Sequence, residues 1–207
     1  MPSASPLIIS AAVEGDLDEA VVVRLARHVG VDVGPVYGKR GKEALKARLP
    51  GYNRAAQYWP WLVLMDLNQE AECAPPLRQR LLPAPAQRMC FRIAIRAVEA
   101  WLLADRDRLS RYLAVPRSRL AANPETIADP KQFLVQVAAQ SRSRDVRSDI
   151  VPVPGSGRRV GPGYTGRLAQ FALDAQRGWR PEVAAGTSDS LGRAIRRLRT
   201  LANSFPA

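Results

Sequence analysis

The chain has 207 residues, 46% of them hydrophobic, so it can bury a core and its composition excludes a disordered protein. The sequence lacks a run of about 20 apolar residues, and its start, MPSASPLIIS, has too short an apolar run for a secretory signal. One histidine and two cysteines exclude a disulfide framework and a zinc cluster. We therefore expect a soluble, cytoplasmic protein without a membrane partner, whose chemistry depends on carboxylates.

The net charge of +12 is distributed unevenly along the chain. Residues 1–70 hold eight basic and eight acidic residues, whereas residues 71–207 hold 23 basic and 11 acidic ones. Such asymmetry indicates a polyanionic partner, above all nucleic acid, because arginine binds phosphate through two parallel hydrogen bonds. An ordinary arginine-rich surface is the alternative.

Strand and helix patterns alternate over the first 105 residues. Short apolar runs predict strands and amphipathic spacing predicts the helices between them, the first of which we expect Asp16 to cap. This alternation predicts a Rossmann-like parallel sheet with helices on both faces. The predicted strands cover residues 7–13, 31–37, 61–65 and 89–95, and the predicted helices cover 16–29, 43–58 (interrupted or kinked near Pro50) and the segment ending near 104.

The second half of the chain has a different pattern. It predicts helices near residues 106–114, 130–140, 164–175 and 188–202, with a glycine-rich and proline-rich loop at 151–163. We therefore predict an α/β core over residues 1–105 and a basic, mainly helical extension over 106–207, packed on the core as one structural unit.

Two acidic residues follow predicted strands. Glu14 comes after the first strand and Asp66 after the third, and ligands of open parallel sheets gather at the carboxyl ends of strands. Two carboxylates at one edge are the kind of oxygen ligands that hold Mg²⁺ or Mn²⁺. The alternative for each residue alone is a helix cap or a solvated side chain.

A third acidic position lies in the apolar segment that begins the fourth helix. Glu99 can supply a further ligand to the same crevice, or it can be a buried residue that needs a partner. Trp101 is expected in the core and Asp105 as the cap of the next helix.

Eight cations are candidates for nucleic-acid binding. Those after the second strand lie in a glycine-flanked loop that can approach phosphate, and the others lie in and around the glycine-rich loop, where Tyr164 can stack on a base. A solvated charged surface is the alternative for both groups, and the arginines of the last helix are expected on such a face. The candidates are Lys39, Arg40, Lys42, Arg142, Arg144, Arg158, Arg159 and Arg167.

These motifs carry a resemblance to a known fold. Val13-Glu14-Gly15 with the downstream Asp18-Glu19, followed by an Asp-x-Asp-like element at Asp66-Leu67-Asn68, resembles the TOPRIM fold of topoisomerases, primases and overcoming-lysogenization-defect (OLD) nucleases. The chain is most similar to a bacterial TOPRIM-like family named domain of unknown function 4276. Further matching segments are 37–42, 93–95, 99–105 and 129–131, so the similarity covers most of the chain.

The resemblance implies a Mg²⁺-dependent nuclease. Glu14 would be the general base or acid or a metal ligand, and Asp66 would be a metal ligand. Asn68 stands where the family pattern has a second aspartate. Its carbonyl oxygen can still coordinate the metal, but the site would lose one negative charge and bind metal more weakly.

The resemblance also implies partners. Related nucleases work with a separate OLD-type or SMC-like ATPase in phage defence, and this chain has no ATP-binding motif of its own. Two alternatives stay open: a catalytically weakened TOPRIM-like module that binds nucleic acid or protein, and a toxin that acts on RNA.

Overall fold

The computed structural model describes residues 7–205. Residues 1–6, on which the expectation about a secretory signal depends in part, lie outside the described residues, as do 206 and 207. Four parallel strands form one sheet in the order β2-β1-β3-β4, with β1 and β3 in the middle. The strands are β1 (Ile8–Val13), β2 (Asp32–Gly38), β3 (Trp61–Asp66) and β4 (Met89–Ala94).

Helices connect the strands and form most of the second half of the described chain. The first four are α1 (Asp16–His28), α2 (Lys42–Ala55), α3 (Ala74–Leu81) and α4 (Val98–Ala104). The later helices are α5 (Arg106–Tyr112), α6 (Pro130–Ala138), α7 (Arg144–Ile150), α8 (Tyr164–Leu173), α9 (Pro181–Ala184) and α10 (Asp189–Asn203), with short 3₁₀ turns at Arg117–Arg119 and Pro124–Thr126.

Apolar side chains cover both faces of the sheet. On one face, alternate residues of the strands pack with α1, α4, α8 and α10 into the larger core. On the other, Leu45 and Leu49 of α2 and Leu77 of α3 pack against Val63 and Phe91. The predicted parallel sheet flanked by helices is therefore confirmed, as the near-continuous apolar runs of β1 and β3 require.

Some local predictions differ from the structure. Gly15 precedes α1 and no side chain caps the helix, so the predicted cap at Asp16 is wrong; Asp16 is the first helical residue. Helix α2 continues without a break through the exposed Pro50. The sequence analysis missed α3, α7 and α9. The two prolines Pro75 and Pro76 suit the first turn of α3, where the backbone amides have no helical acceptor.

The second half of the chain packs against α4 through two tryptophans. Trp101 is fully buried, as predicted, and its indole N–H donates a hydrogen bond to Ser190 Oγ of α10 at 2.7 Å. The indole of Trp179 in turn donates to the carbonyl of Trp101 at 3.0 Å. These contacts fix the helices of residues 164–203 against the face of the sheet on which α4 lies. Among residues 7–205, no helix is both long and apolar enough to cross a membrane.

Candidate functional site

Glu14 and Asp66 lie side by side at the carboxyl edge of the sheet. Strands β1 and β3 are hydrogen-bonded neighbours, so their ends meet. The backbone N–H of Asp66 donates a hydrogen bond to Glu14 Oε1 at 2.8 Å. The carboxylate of Asp66 accepts a bond from the backbone N–H of Val98 at 2.9 Å, which ties the end of β3 to the start of α4.

Two further carboxylates approach the same place. Asp18, in the first turn of α1, is 6% exposed, and Glu99, in the first turn of α4, is 2% exposed. Both are close enough to Asp66 to repel its negative charge, and both act in the same way on each other. Glu14, Asp18, Asp66 and Glu99 are called the acid cluster below.

Three carboxyls of the acid cluster, those of Glu14, Asp18 and Asp66, have a raised pKa. Burial is the main cause of a raised pKa at Asp66, with repulsion from Asp18, Glu99 and Glu14 adding to it. Burial and the charges of Glu14 and Glu99 raise the pKa of Asp18 to about 7. Burial raises the pKa of Glu14 too, although the Asp66 amide and Lys42 act in the opposite direction.

Compensation of the cluster's charge is partial. The Lys131 ammonium lies 3.7 Å from Glu99 Oε1, and the Tyr164 hydroxyl donates to the same oxygen at 3.2 Å. Lys42 Nζ instead donates to the backbone carbonyl of Asp66 at 2.6 Å. Within the described residues, Oδ1 of Asp18 is buried and has no hydrogen-bond partner. An unpaired buried carboxylate oxygen is costly, which marks this position as a place for a ligand or a proton.

The backbone is strained at the same edge. Three residues other than glycine have a positive φ just after strands β2, β3 and β4: Lys39 at 59°, Asn68 at 51° and Arg96 at 61°. Gly38 comes so close to β1 that a Cβ there would lie 2.2 Å from the carbonyl oxygen of Val13. Such conformations cluster at functional sites, because the surrounding structure must hold them in place.

The donor chemistry of the acid cluster fits a hard divalent cation, since carboxylate oxygens are its preferred ligands. The arrangement of these carboxylates fits a metal ion less well than their chemistry does. Within residues 7–205, no group of three or more His, Cys, Asp or Glu side chains stands in an arrangement that could hold a metal ion. One oxygen each of Glu14 and Asp66 is bonded to a backbone amide, so a metal held by this pair would use their second oxygens.

The side-chain amide of Asn68 contacts one cation and one backbone carbonyl. With its amide oriented to satisfy both ends, the oxygen accepts from Lys42 Nζ at 3.0 Å and the nitrogen donates to the Arg96 carbonyl at 3.3 Å. The predicted metal ligand Asn68 thus contacts Lys42 and the backbone of Arg96 in this structure.

The predicted nucleic-acid-binding cations divide into two groups. Arg40, Arg142, Arg144 and Arg158 are exposed. The others contact carboxylates of the protein, which reduces the charge that they offer to a phosphate. These pairs are Lys39 with Glu19, Lys42 with Glu70, Arg159 with Asp129 and Arg167 with Asp149.

Tyr164 does not lie on the surface, where it was predicted to stack on a base. Its ring is 2% exposed and its hydroxyl is bonded to Glu99, so the expectation that it stacks on a base is wrong. Tyr164 begins α8, in agreement with the predicted helix over 164–175, but the sequence analysis did not recognise that its side chain belongs to the buried face formed by positions 164, 168, 171 and 172.

Asp18 is the residue that the sequence analysis did not select. The signal was present, because Leu17, Val21, Val22 and Leu25 form the buried face of α1 and Asp18 lies three, four and seven residues from the last three. A carboxylate at a core position of an amphipathic helix needs a partner or a function.

Comparisons with models of protein families, with curated proteins and with solved structures each give no match to this chain.

Proposed function

We propose that the protein is a TOPRIM-like, divalent-cation-dependent phosphodiesterase that cleaves nucleic acid. The observation that carries this proposal is the acid cluster: four carboxylates from β1, α1, β3 and α4 meet at the carboxyl edge of a parallel sheet. Ligand sites of open α/β sheets are found at this edge.

The electrostatics of the cluster support a cation as its partner. Carboxylates that repel one another and lose solvent are stabilised either by protons or by a positive ion. Glu14 and Asp66 would hold Mg²⁺ or Mn²⁺ as a pair, since no three of the described side chains stand in a metal-binding arrangement, and Glu99 would act from outside this pair because Lys131 and Tyr164 already contact it. When bound, the metal would supply charge stabilisation at the phosphate and an activated water.

Glu14 is the proposed general base or acid. It is half-buried, and burial raises its pKa, which brings a carboxyl closer to the pH at which it can exchange a proton with substrate or water. The hydrogen bond from the Asp66 amide holds its side chain in place, so Asp66 also positions Glu14 through its backbone.

The charge of the chain supports nucleic acid as the substrate. The net charge is +12, and the exposed Arg40, Arg142, Arg144 and Arg158 are available to phosphates. The resemblance to OLD-type nucleases adds a separate ATPase partner and a role in phage defence to the proposal. Both cysteines are free thiols, in keeping with the proposed cytoplasmic location.

The test is a cleavage assay on plasmid, single-stranded DNA and RNA with Mg²⁺ or Mn²⁺, and with EDTA. Wild type should cleave at least one substrate only with metal, and Glu14→Gln and Asp66→Asn should each lower the rate about 100-fold or more. Asp32→Asn is the matched control, because Asp32 is an exposed carboxylate at the amino end of β2. Equal rates in all four proteins would contradict the proposal, and the substrate that is cleaved decides between DNA and RNA.

A binding module is the second candidate function. The contacts of Asn68 and the incomplete metal spacing favour it. It would bind nucleic acid tightly at 50 mM salt and far more weakly at 200 mM, without cleavage under any metal condition.

A further inference from the structure

A second polar site lies in a cleft of about 700 Å³ along the free edge of β4. The cleft is walled by α3, the end of β4, the 3₁₀ turn at Pro124–Thr126 and the start of α10. Its lining residues differ from those of the acid cluster. They include the guanidinium groups of Arg78, Arg92 and Arg193 and the apolar surfaces of Pro75, Ile93 and Ile95.

Two of these arginines have a hydrogen-bond donor for which the described part of the chain provides no acceptor. Within residues 7–205, Nε of Arg78 and Nε of Arg92 are buried and have no hydrogen-bond partner. Buried donors without acceptors cost free energy, and that cost is greatest for charged groups. Both side chains are half-buried and line the cleft, so a ligand with acceptor oxygens would contact these guanidinium groups and offset part of that cost.

Three other arginines act on the guanidinium of Arg92. Arg78, Arg193 and Arg197 all act on its guanidinium, and burial together with this repulsion lowers the pKa of Arg92. The carboxylates of the cleft are engaged elsewhere: Asp189 pairs with Arg193 at 2.7 Å, and Glu125 Oε1 accepts from Ser188 Oγ and Ser190 Oγ, each at 2.6 Å. Arg78 and Arg92 thus remain without compensation.

Size and lining indicate what the cleft takes. Small-molecule sites are clefts of about 300–1,000 Å³ with mostly apolar walls and a few convergent polar groups. Guanidinium forks suit the oxygens of phosphate. We infer that this cleft binds a phosphate-bearing small molecule of nucleotide size, with its phosphates on Arg78 and Arg92 and its apolar body against Ile93 and Ile95.

Calorimetric titration with ADP and with pyrophosphate, both in EDTA, tests this inference. EDTA keeps metal from the acid cluster, so the outcome does not depend on the proposed nuclease. Wild type should bind ADP, and Arg92→Gln and Arg78→Gln should each weaken binding about tenfold or more. Arg48→Gln, which removes an exposed arginine of α2, should leave the affinity unchanged.

Thermal unfolding provides a second readout that separates ligand binding from misfolding. ADP should raise the melting temperature of wild type and of Arg48→Gln, and should leave those of Arg92→Gln and Arg78→Gln nearly constant, since only a bound ligand stabilises by mass action.

Three results would overturn the inference. One is ADP affinity that is absent from wild type or unchanged in both cleft variants. Another is binding of pyrophosphate as tight as that of ADP, which would remove the role of the apolar wall. The third is a 20-nucleotide strand that needs Arg78 and Arg92 while ADP does not bind, because the cleft would then belong to a nucleic-acid surface.

Discussion

Asp105 and Asp18 are both buried carboxylates, and their surroundings are opposite. Asp105 is fully buried, caps α5 as predicted, and accepts hydrogen bonds from the Arg180 backbone and from Arg180 Nε and NH2 at 3.0, 2.9 and 2.7 Å. Asp18 is 6% exposed, has one oxygen without a partner, and faces other carboxylates.

The difference separates two uses of buried charge. At Asp105 the ion pair joins α5 to the segment before α9, so the charge holds tertiary structure. At Asp18 the charge opposes the native state, and the backbone hydrogen bonds at Gly15 and Asp18 offset only part of that cost. Groups that weaken a fold in this way are typical of functional sites.

The largest effect is expected at Asp105. Asp105→Asn should lower the free energy of unfolding by about 3–5 kcal/mol, because it leaves the Arg180 guanidinium half-buried beside a neutral amide. Urea denaturation at pH 7 measures this. Asp107→Asn, which removes an exposed partner of Arg117, is the control and should cost less than about 1 kcal/mol. Equal losses in the two variants would remove the contrast between the sites.

Asp18→Asn should raise the free energy of unfolding, whereas Asp105→Asn lowers it. The pKa of Asp18 is about 7 in the folded protein, against an ordinary value of 3.8 for an aspartate, so the native state holds a proton that the unfolded chain releases. The stability that this proton contributes is complete below about pH 4 and is lost as pH rises through 7. At pH 8 in EDTA the variant should therefore exceed wild type by about 2–4 kcal/mol, the upper value being three pKa units at about 1.36 kcal/mol each.

Urea denaturation at pH 4, 6 and 8 checks the sign. The difference between Asp18→Asn and wild type should grow across this series and be smallest at pH 4. A constant difference would mean that Asp18 does not titrate between these pH values.

Mn²⁺ should stabilise the wild-type protein but not the Asp66→Asn variant. If the acid cluster binds Mn²⁺, a concentration ten times the dissociation constant should add about 1.4 kcal/mol to the free energy of unfolding at pH 8. Asp66→Asn should lose this gain, whereas Asp105 variants folded at lower temperature should keep it. Calorimetric melting with Mn²⁺ and with EDTA is the measurement, and an identical gain in Asp66→Asn would place the ion elsewhere.

Glu99 lies between the two extremes, and a modest effect is expected there. Tyr164→Phe removes the hydroxyl that donates to Glu99 Oε1 and keeps the packing of the ring. It should cost about 1.5–3 kcal/mol, the usual range for a hydrogen bond to a charged group. Tyr112→Phe, whose hydroxyl bonds the Arg167 carbonyl at 2.7 Å, is the control for a neutral acceptor and should cost about 1 kcal/mol.

Short-range patterns predicted the sheet and the edge of the site. The apolar runs of β1 and β3 are long and regular, so their ends place Glu14 and Asp66 at one edge without any knowledge of tertiary structure. The strand order, with β1 beside β3, depends on packing between distant segments. Helices α3, α7 and α9 have eight, seven and four residues, too few for a periodic pattern to stand out.

The sequence could not predict which residues become neighbours when distant segments of the chain pack together. Arg78 lies on α3 and Arg92 within β4, and their neighbourhood depends on how α3 packs on the sheet. Arg193 was expected on a solvated face; its side chain is largely exposed, yet it also lines the cleft. Only the tertiary structure shows which arginines lack a carboxylate.

The two thiols differ in a way that is useful at the bench. Cys73 is exposed at the mouth of the arginine-lined cleft, whereas Cys90 is fully buried and burial raises its pKa to about 11. A maleimide dye at neutral pH should therefore label Cys73 alone, because the reactive thiolate is available only there. The native sequence thus carries a single attachment point for a fluorophore that reports occupancy of the cleft.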